Sequence, residues 1–273
     1  MGAVVSKEQE ERMAQVICLR PRPQARVRLV CFSHAGATEA PFASWPDGLS
    51  GDIEVGAVRK PPLADNRELT EVLTDAVLAY VSQTPSVPFA LFGHSLGSLL
   101  AFGVARLLRQ RQAAQPCCLL CASATAPQFP ATIWPGPPPQ DWSITELVAY
   151  LRYAGGTTET VLSNATYLQR LLPRMQVDLA VRTSYTYTEA PPLSYPLAIF
   201  GGLHDAGIST ADLAAWGEQT NAHFSLHRFP GGHFFLHERE TRRPFLQTLS
   251  FEVMRWLEDA SDVQVTPLLQ RRR

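Results

Sequence analysis

Three things are scarce in this chain. No run of apolar residues reaches the ~20 that a membrane-spanning helix needs, so a membrane partner is not expected. Neither charge dominates: 24 Lys and Arg face 25 Asp and Glu, a formal charge of −1. That balance removes the electrostatic case for nucleic acid. Cysteine is sparse and odd in number, with Cys18, Cys31 and then Cys117, Cys118 and Cys121 in one apolar run. A disulfide framework is not expected, and a reducing, cytoplasmic setting is. Cys118 and Cys121 spell C-x-x-C, but no second pair or nearby histidine completes a zinc site. Within "PCCLLCAS" they read as core residues of a buried strand. The start, "MGAVVSKEQEERMAQ", has no apolar signal core. Its Gly2 and Ser6 fit only the short, common myristoylation pattern. The terminal "QRRR" reads as a solvated tail.

What is present is ordinary for a globular protein: 273 residues, 45% hydrophobic and 18% charged. Six short apolar runs read as strands: "VRLVCFS" (27–33), "IEVGAV" (53–58), "PFALFG" (88–93), "CCLLCAS" (117–123), "PLAIFGG" (196–202) and "HFSLHRF" (223–229). Most are continuously apolar, as strands buried on both faces of a parallel sheet are. Helical spacing lies between them, over 67–83, 98–112, 209–220 and 243–260. Ser209 or Thr210 is placed to cap the third, and Pro244 falls in the first turn of the fourth. Strands alternating with helices predict an α/β fold with a mostly parallel sheet covered on both faces. Residues 127–187 break the alternation. They open on the proline-rich "PQFPATIWPGPPPQDW" and continue as two or three helical stretches. The expectation is a single domain over 1–273 with a helical insertion at about 127–187.

The stretch "FALFGHSLGSLLAFGVARLL" holds Gly-x-Ser-x-Gly around Ser95, between a buried strand and an amphipathic helix. A serine hydroxyl is a weak nucleophile until a base takes its proton and donors stabilise the oxyanion. A tight strand-to-helix turn exposes the hydroxyl and aims free N–H groups at the reaction centre. The partners should be an acid and then a histidine at later strand ends. Asp205 follows "PLAIFGG", and His233 follows "HFSLHRF" inside "PGGHFFL". Two backbone N–H groups should form the oxyanion hole: Leu96, after the serine, and Ala35, in the small loop "HAGA" after the first strand. Other candidates are weaker. His204 adjoins the acid but should point elsewhere. His223 and His227 are evenly spaced and should share a solvent face of the last strand. His237, four after His233, has no third metal ligand in view. Asp212 lies in a helical pattern and reads as a surface residue. His94 could line the cleft or pack in the turn.

Beyond these motifs, the chain from about Arg28 to Trp256 resembles the stand-alone type II thioesterases of polyketide and nonribosomal peptide assembly lines. The resemblance rests on "CFSHAGAT", the nucleophile segment, "SATAP", "YAGGTTETVLSNATYLQRLLPRMQVDLAVRTSYTY", "WGEQT" and "FPGGHFFL". It implies an α/β-hydrolase fold with a helical lid. It also implies hydrolysis of acyl thioesters on the phosphopantetheine arm of acyl or peptidyl carrier proteins. By position it assigns Ser95 as nucleophile, His233 as base, Asp205 as the acid that orients it, and Ala35 and Leu96 as oxyanion donors. It implies no metal and no bound cofactor, since the arm belongs to the carrier, and a monomer acting on small acyl groups. The chain departs from the family pattern at Pro62 and Leu63, where Gly-Arg is usual, at Ser33-His34 and at Val104. The alternative is a general serine esterase or a medium-chain fatty acyl thioesterase on the same fold. Trp134, Trp142, Tyr150, Tyr153 and Tyr167 are candidates to line an acyl channel. Arg106, Arg109 and Arg111 could meet an acidic carrier, although exposed helix arginines are usually only solvated.

Overall fold

A computed structural model describes residues 13–129 and 135–263. Gly2, Ser6, Trp134 and the terminal "QRRR" lie outside the described residues. Seven strands form one sheet: β1 (Gln15–Cys18), β2 (Val27–Phe32), β3 (Ile53–Arg59), β4 (Phe89–His94), β5 (Leu119–Ala122), β6 (Leu197–Gly202) and β7 (Phe224–Phe229). Their order across the sheet is β1-β3-β2-β4-β5-β6-β7. All neighbours are parallel except the β1–β3 pair. Six of the seven are the strands expected from the sequence. The seventh, β1, has four residues on the sheet edge and mixed burial. It is too short to show periodicity, and "RPRPQ" begins two residues after its end.

Continuous apolarity serves two cores at once. Val30, Phe32, Leu91, Cys121 and Ile199 point to one face of the sheet. Leu29, Cys31, Phe92, Ala122 and Phe200 point to the other. The alternation is hidden in sequence because both faces are dry. Cys118 and Cys121 fall in opposite layers, as core residues rather than a metal pair, and all five thiols are free.

The first layer packs under α1 (Asn66–Val81) and α2 (Leu96–Gln110), through Leu69, Leu73, Val77, Leu100, Val104 and Leu108. Asp65 caps α1 by accepting from the Glu68 N–H at 2.9 Å. Between β5 and β6 come α3 (Ile144–Ala154), α4 (Glu159–Leu162) and α5 (Ala165–Ser184), with their own apolar cluster around Trp142, Leu147, Leu168 and Met175. The expected helix over 209–220 divides into α6 (Thr210–Ala214) and a 3-10 turn, Ala215–Gln219, that contains Gly217. Ser209 caps α6, and Asp212 completes the capping box, which accounts for that carboxylate.

The second layer packs under α7 (Arg239–Val263) through Phe245, Leu249 and Val253, with Phe42 and Trp45 beside them. This helix starts four residues before 243, so Pro244 sits in its second turn. Its length also corrects the placing of one of two histidines. The His227 ring stacks on Phe200 and its Nε2 lies 2.8 Å from Glu252 of α7, so it turns toward the last helix. His223 is exposed, as expected, with its ring 4.8 Å from Trp256. The architecture is that of the α/β-hydrolase fold. Among the described residues no helix is long and apolar enough to cross a membrane.

Candidate active site

The turn at Ser95 is forced by its surroundings. β4 ends at His94 and α2 begins at Leu96, so one residue must reverse the chain. Ser95 does so at φ 55°, a left-handed backbone that costs a residue with a Cβ ~1–3 kcal/mol. Its N–H is held by the Ala122 carbonyl at 2.8 Å. The flanking glycines are required by close approach. A Cβ on Gly93 would sit 2.3 Å from the Gly97 oxygen, and one on Gly97 would sit 2.1 Å from the Phe32 oxygen. Leu96 is the first residue of α2, so its N–H has no helical acceptor.

Two later strand ends converge on this turn. His233 Nε2 lies 2.9 Å from Ser95 Oγ. His233 Nδ1 lies 2.9 Å from Asp205 Oδ2, whose side chain is only 2% exposed. The other Asp205 oxygen accepts the Gly207 N–H at 3.0 Å. An anionic acid on Nδ1–H leaves the Nε2 lone pair facing the serine hydroxyl. The three residues singled out from the sequence thus meet in one hydrogen-bonded row. Nearby His204 is exposed and joins no such row.

His94 was open between lining the cleft and packing in the turn, and it does a third thing. It is buried, and its Nε2 lies 3.0 Å from the His233 carbonyl. A carbonyl only accepts, so Nε2 carries the proton and Nδ1 accepts from His34 Nδ1 at 3.3 Å. Nitrogens of His34, His94 and His237 lie within 4.8 Å of one another, a spacing at which three imidazoles can hold a metal ion. His237 therefore joins His34 and His94, not His233.

These imidazoles make stability depend on acid. Burial, then neighbouring His237, Lys60 and His233, hold His34 well below the usual histidine range. Burial, then the neighbouring His34, His233 and His237, do the same for His94. Burial and Arg242 push His237 down to about 4. In the unfolded chain these groups take a proton near pH 6.5; in the fold His34 and His94 stay neutral. The unfolded state therefore binds more protons below about pH 6.5, so stability is full above that pH and falls below it. His34 and His94 together are expected to remove about 3 kcal/mol between pH 7.5 and 5.5. Urea unfolding at the two pH values measures this, and an unchanged midpoint would contradict it.

The loop bearing Ala35 is anchored from the insertion. Gly36, at φ 79°, donates its N–H to Asp178 Oδ2 at 2.7 Å. Lys60 Nζ lies 2.9 Å from the same oxygen and donates to the His34 carbonyl at 3.2 Å. Both side chains of the Lys60–Asp178 pair are under a tenth exposed. Sequence reading missed this pair; its one signal was a lone acid in the apolar stretch "MQVDLAV". Asp178→Ala leaves Lys60 buried and unpaired and is expected to cost about 3–5 kcal/mol in urea unfolding. A loss within 0.5 kcal/mol of zero would show that the pair holds nothing.

Two spaces meet at Ser95, Ala35, Tyr150 and His233. One is a cavity of about 90 Å³, lined also by Leu96, Ala124, Tyr153, Arg182 and Ile208. The other is a groove of about 650 Å³, lined also by Thr157, Tyr167, Arg174 and Phe234. The candidate aromatics separate accordingly. Tyr150 borders both spaces, Tyr153 the cavity and Tyr167 the groove. Trp142 packs inside the insertion, with its indole N–H on the Pro137 carbonyl. The α2 arginines are engaged within the chain. Arg106 donates to the Thr188 carbonyl, Arg109 to those of Pro191 and Pro192, and Arg111 pairs with Asp75.

The chain is similar to known proteins in sequence and in structure. The family model described as a thioesterase domain matches residues 27–250. The gramicidin S biosynthesis protein GrsT of Aneurinibacillus migulanus is 33% identical over 226 residues, 78% of this chain and 84% of that protein. The medium-chain S-acyl fatty acid synthase thioesterase of Homo sapiens is 30% identical over 231 residues, 80% of this chain and 84% of that one. Among solved structures, the type II thioesterase BorB from the borrelidin biosynthetic cluster superposes with a TM-score of 0.76 at 30% identity, covering 88% of this chain and 97% of that one.

Proposed function

Because the chain belongs to the thioesterase family, with type II thioesterases of polyketide and nonribosomal peptide pathways among its relatives, we propose that it hydrolyses acyl thioesters held on carrier proteins. The observation that carries the reading is the row Ser95 Oγ, His233 Nε2, His233 Nδ1 and Asp205, with both links at 2.9 Å. In this mechanism the thioester carbonyl rests against the Ala35 and Leu96 N–H groups. Ser95 attacks as His233 takes its proton, and the tetrahedral oxyanion is held by those two donors. His233 then gives the proton to the departing thiol. The same imidazole activates a water that releases the acid and restores Ser95. Asp205 keeps the ring oriented and stabilises the imidazolium. Each step uses only this chain's residues and water.

The two spaces divide the substrate. The wide groove admits the pantetheine arm of an acyl or peptidyl carrier, and the small cavity takes the acyl group. The cavity, about 90 Å³, is far smaller than the groove of about 650 Å³. That favours short acyl groups. A medium-chain fatty acyl thioesterase is the second reading, favoured by the human relative. The test is acyl release from a panel of acylated carrier proteins beside matching p-nitrophenyl esters. Faster release from carriers supports the proposal. Ester cleavage with carriers untouched moves the protein to the general esterases, and preference for chains of eight or more carbons moves it to the medium-chain enzymes.

A further inference from the structure

Among the described residues, two polar side chains at the small cavity have no hydrogen-bond partner. Arg182, near the end of α5, lines it beside Leu179 and Ile208. By surface area it is partly exposed, yet burial depresses its pKa, and the neighbour favouring its cation is the Tyr185 phenol. Among the described residues no carboxylate pairs with it and no carbonyl accepts from it. Ser123, just past β5, lines the same cavity. It stands at φ 47°, is 1% exposed, and its Oγ has no partner among the described residues. A left-handed serine and an orphaned buried hydroxyl are each unfavourable. The other charged group on the wall, Asp205, is turned to His233 and the Gly207 N–H.

A cation that faces a cavity with no anion of its own chain beside it is placed to pair with an anion that a ligand brings. Resting on the thioesterase reading above, we propose that Arg182 selects the acyl group, and that the preferred substrate is the thioester of a short carboxyacyl group, a dicarboxylic acid joined through one carboxyl to the pantetheine thiol. The free carboxylate pairs with the guanidinium in charge-assisted hydrogen bonds. The phosphate of the arm is not the anion in question. It lies a full pantetheine length from the sulfur, on the side of the groove. Hydrolysis consumes one water and yields the free diacid and the thiol, so no further reactant is required.

The experiment compares malonyl with 3-methylbutanoyl, and succinyl with 4-methylpentanoyl, on one carrier protein. Each pair matches in shape and differs in charge. In the wild type, kcat/KM for the carboxyacyl member is expected to exceed its partner by about tenfold or more. In Arg182→Met the carboxyacyl-to-uncharged ratio is expected to fall by about 100-fold, with partial recovery in Arg182→Lys. A wild type that prefers the uncharged members overturns the assignment. So does an unchanged ratio in Arg182→Met. Release of uncharged groups alone overturns this inference and leaves the thioesterase reading standing. No release of any of the four removes both.

Discussion

Ser95→Ala is expected to lower kcat for thioester hydrolysis by about 10,000-fold or more while leaving the fold intact. The loss follows from geometry. Ser95 Oγ is the atom His233 Nε2 faces at 2.9 Å, and the left-handed turn aims it at the meeting point of the two spaces. Alanine keeps the Cβ, so backbone strain at φ 55° is the same in both proteins. The Ser95 N–H bond to Ala122 is also kept. Stability should therefore change by less than about 1 kcal/mol. Steady-state release from an acylated carrier, with urea unfolding of both proteins, measures the two halves of the expectation. Residual activity within tenfold of wild type would place the nucleophile elsewhere.

Asp205→Asn should cost about 10,000-fold in kcat, although the two side chains have nearly the same shape. The carboxylate accepts from His233 Nδ1–H, which leaves the Nε2 lone pair toward Ser95. An asparagine amide that presents its NH₂ there donates instead. The imidazole proton then moves to Nε2, where it blocks proton transfer from the serine. The pairing with the imidazolium is lost as well. Because the three residues act as a unit, adding His233→Ala to Asp205→Asn should cause little further loss. Losses that multiply would show that the two side chains act independently.

The parts legible in sequence share one property: they lie at the ends of strands. Ser95, Asp205 and His233 were found because strand runs are continuous in sequence and a parallel sheet brings their carboxyl ends to one edge. Gly93 and Gly97 carried their own signal, since each meets backbone closer than a Cβ allows. What was not legible depends on long-range convergence of side chains. Lys60 and Asp178 lie 118 positions apart, and Gly36 and Asp178 lie 142 apart. No periodicity marks such pairs. Arg182 carries no signal in sequence, because the cavity it lines is built from residues far apart in the chain. The α2 arginines went the other way. Exposed in pattern, they are tied to the carbonyls of residues 188–192 and to Asp75.

The most direct measurement is rapid quench of the protein with an acylated carrier, followed by intact mass and peptide mapping. The expected result is a burst of free carrier thiol matched by one acyl group on the Ser95 peptide, with neither in Ser95→Ala. Thiol release without acyl on Ser95, or acyl on any other residue, would contradict Ser95 as the group that attacks the thioester.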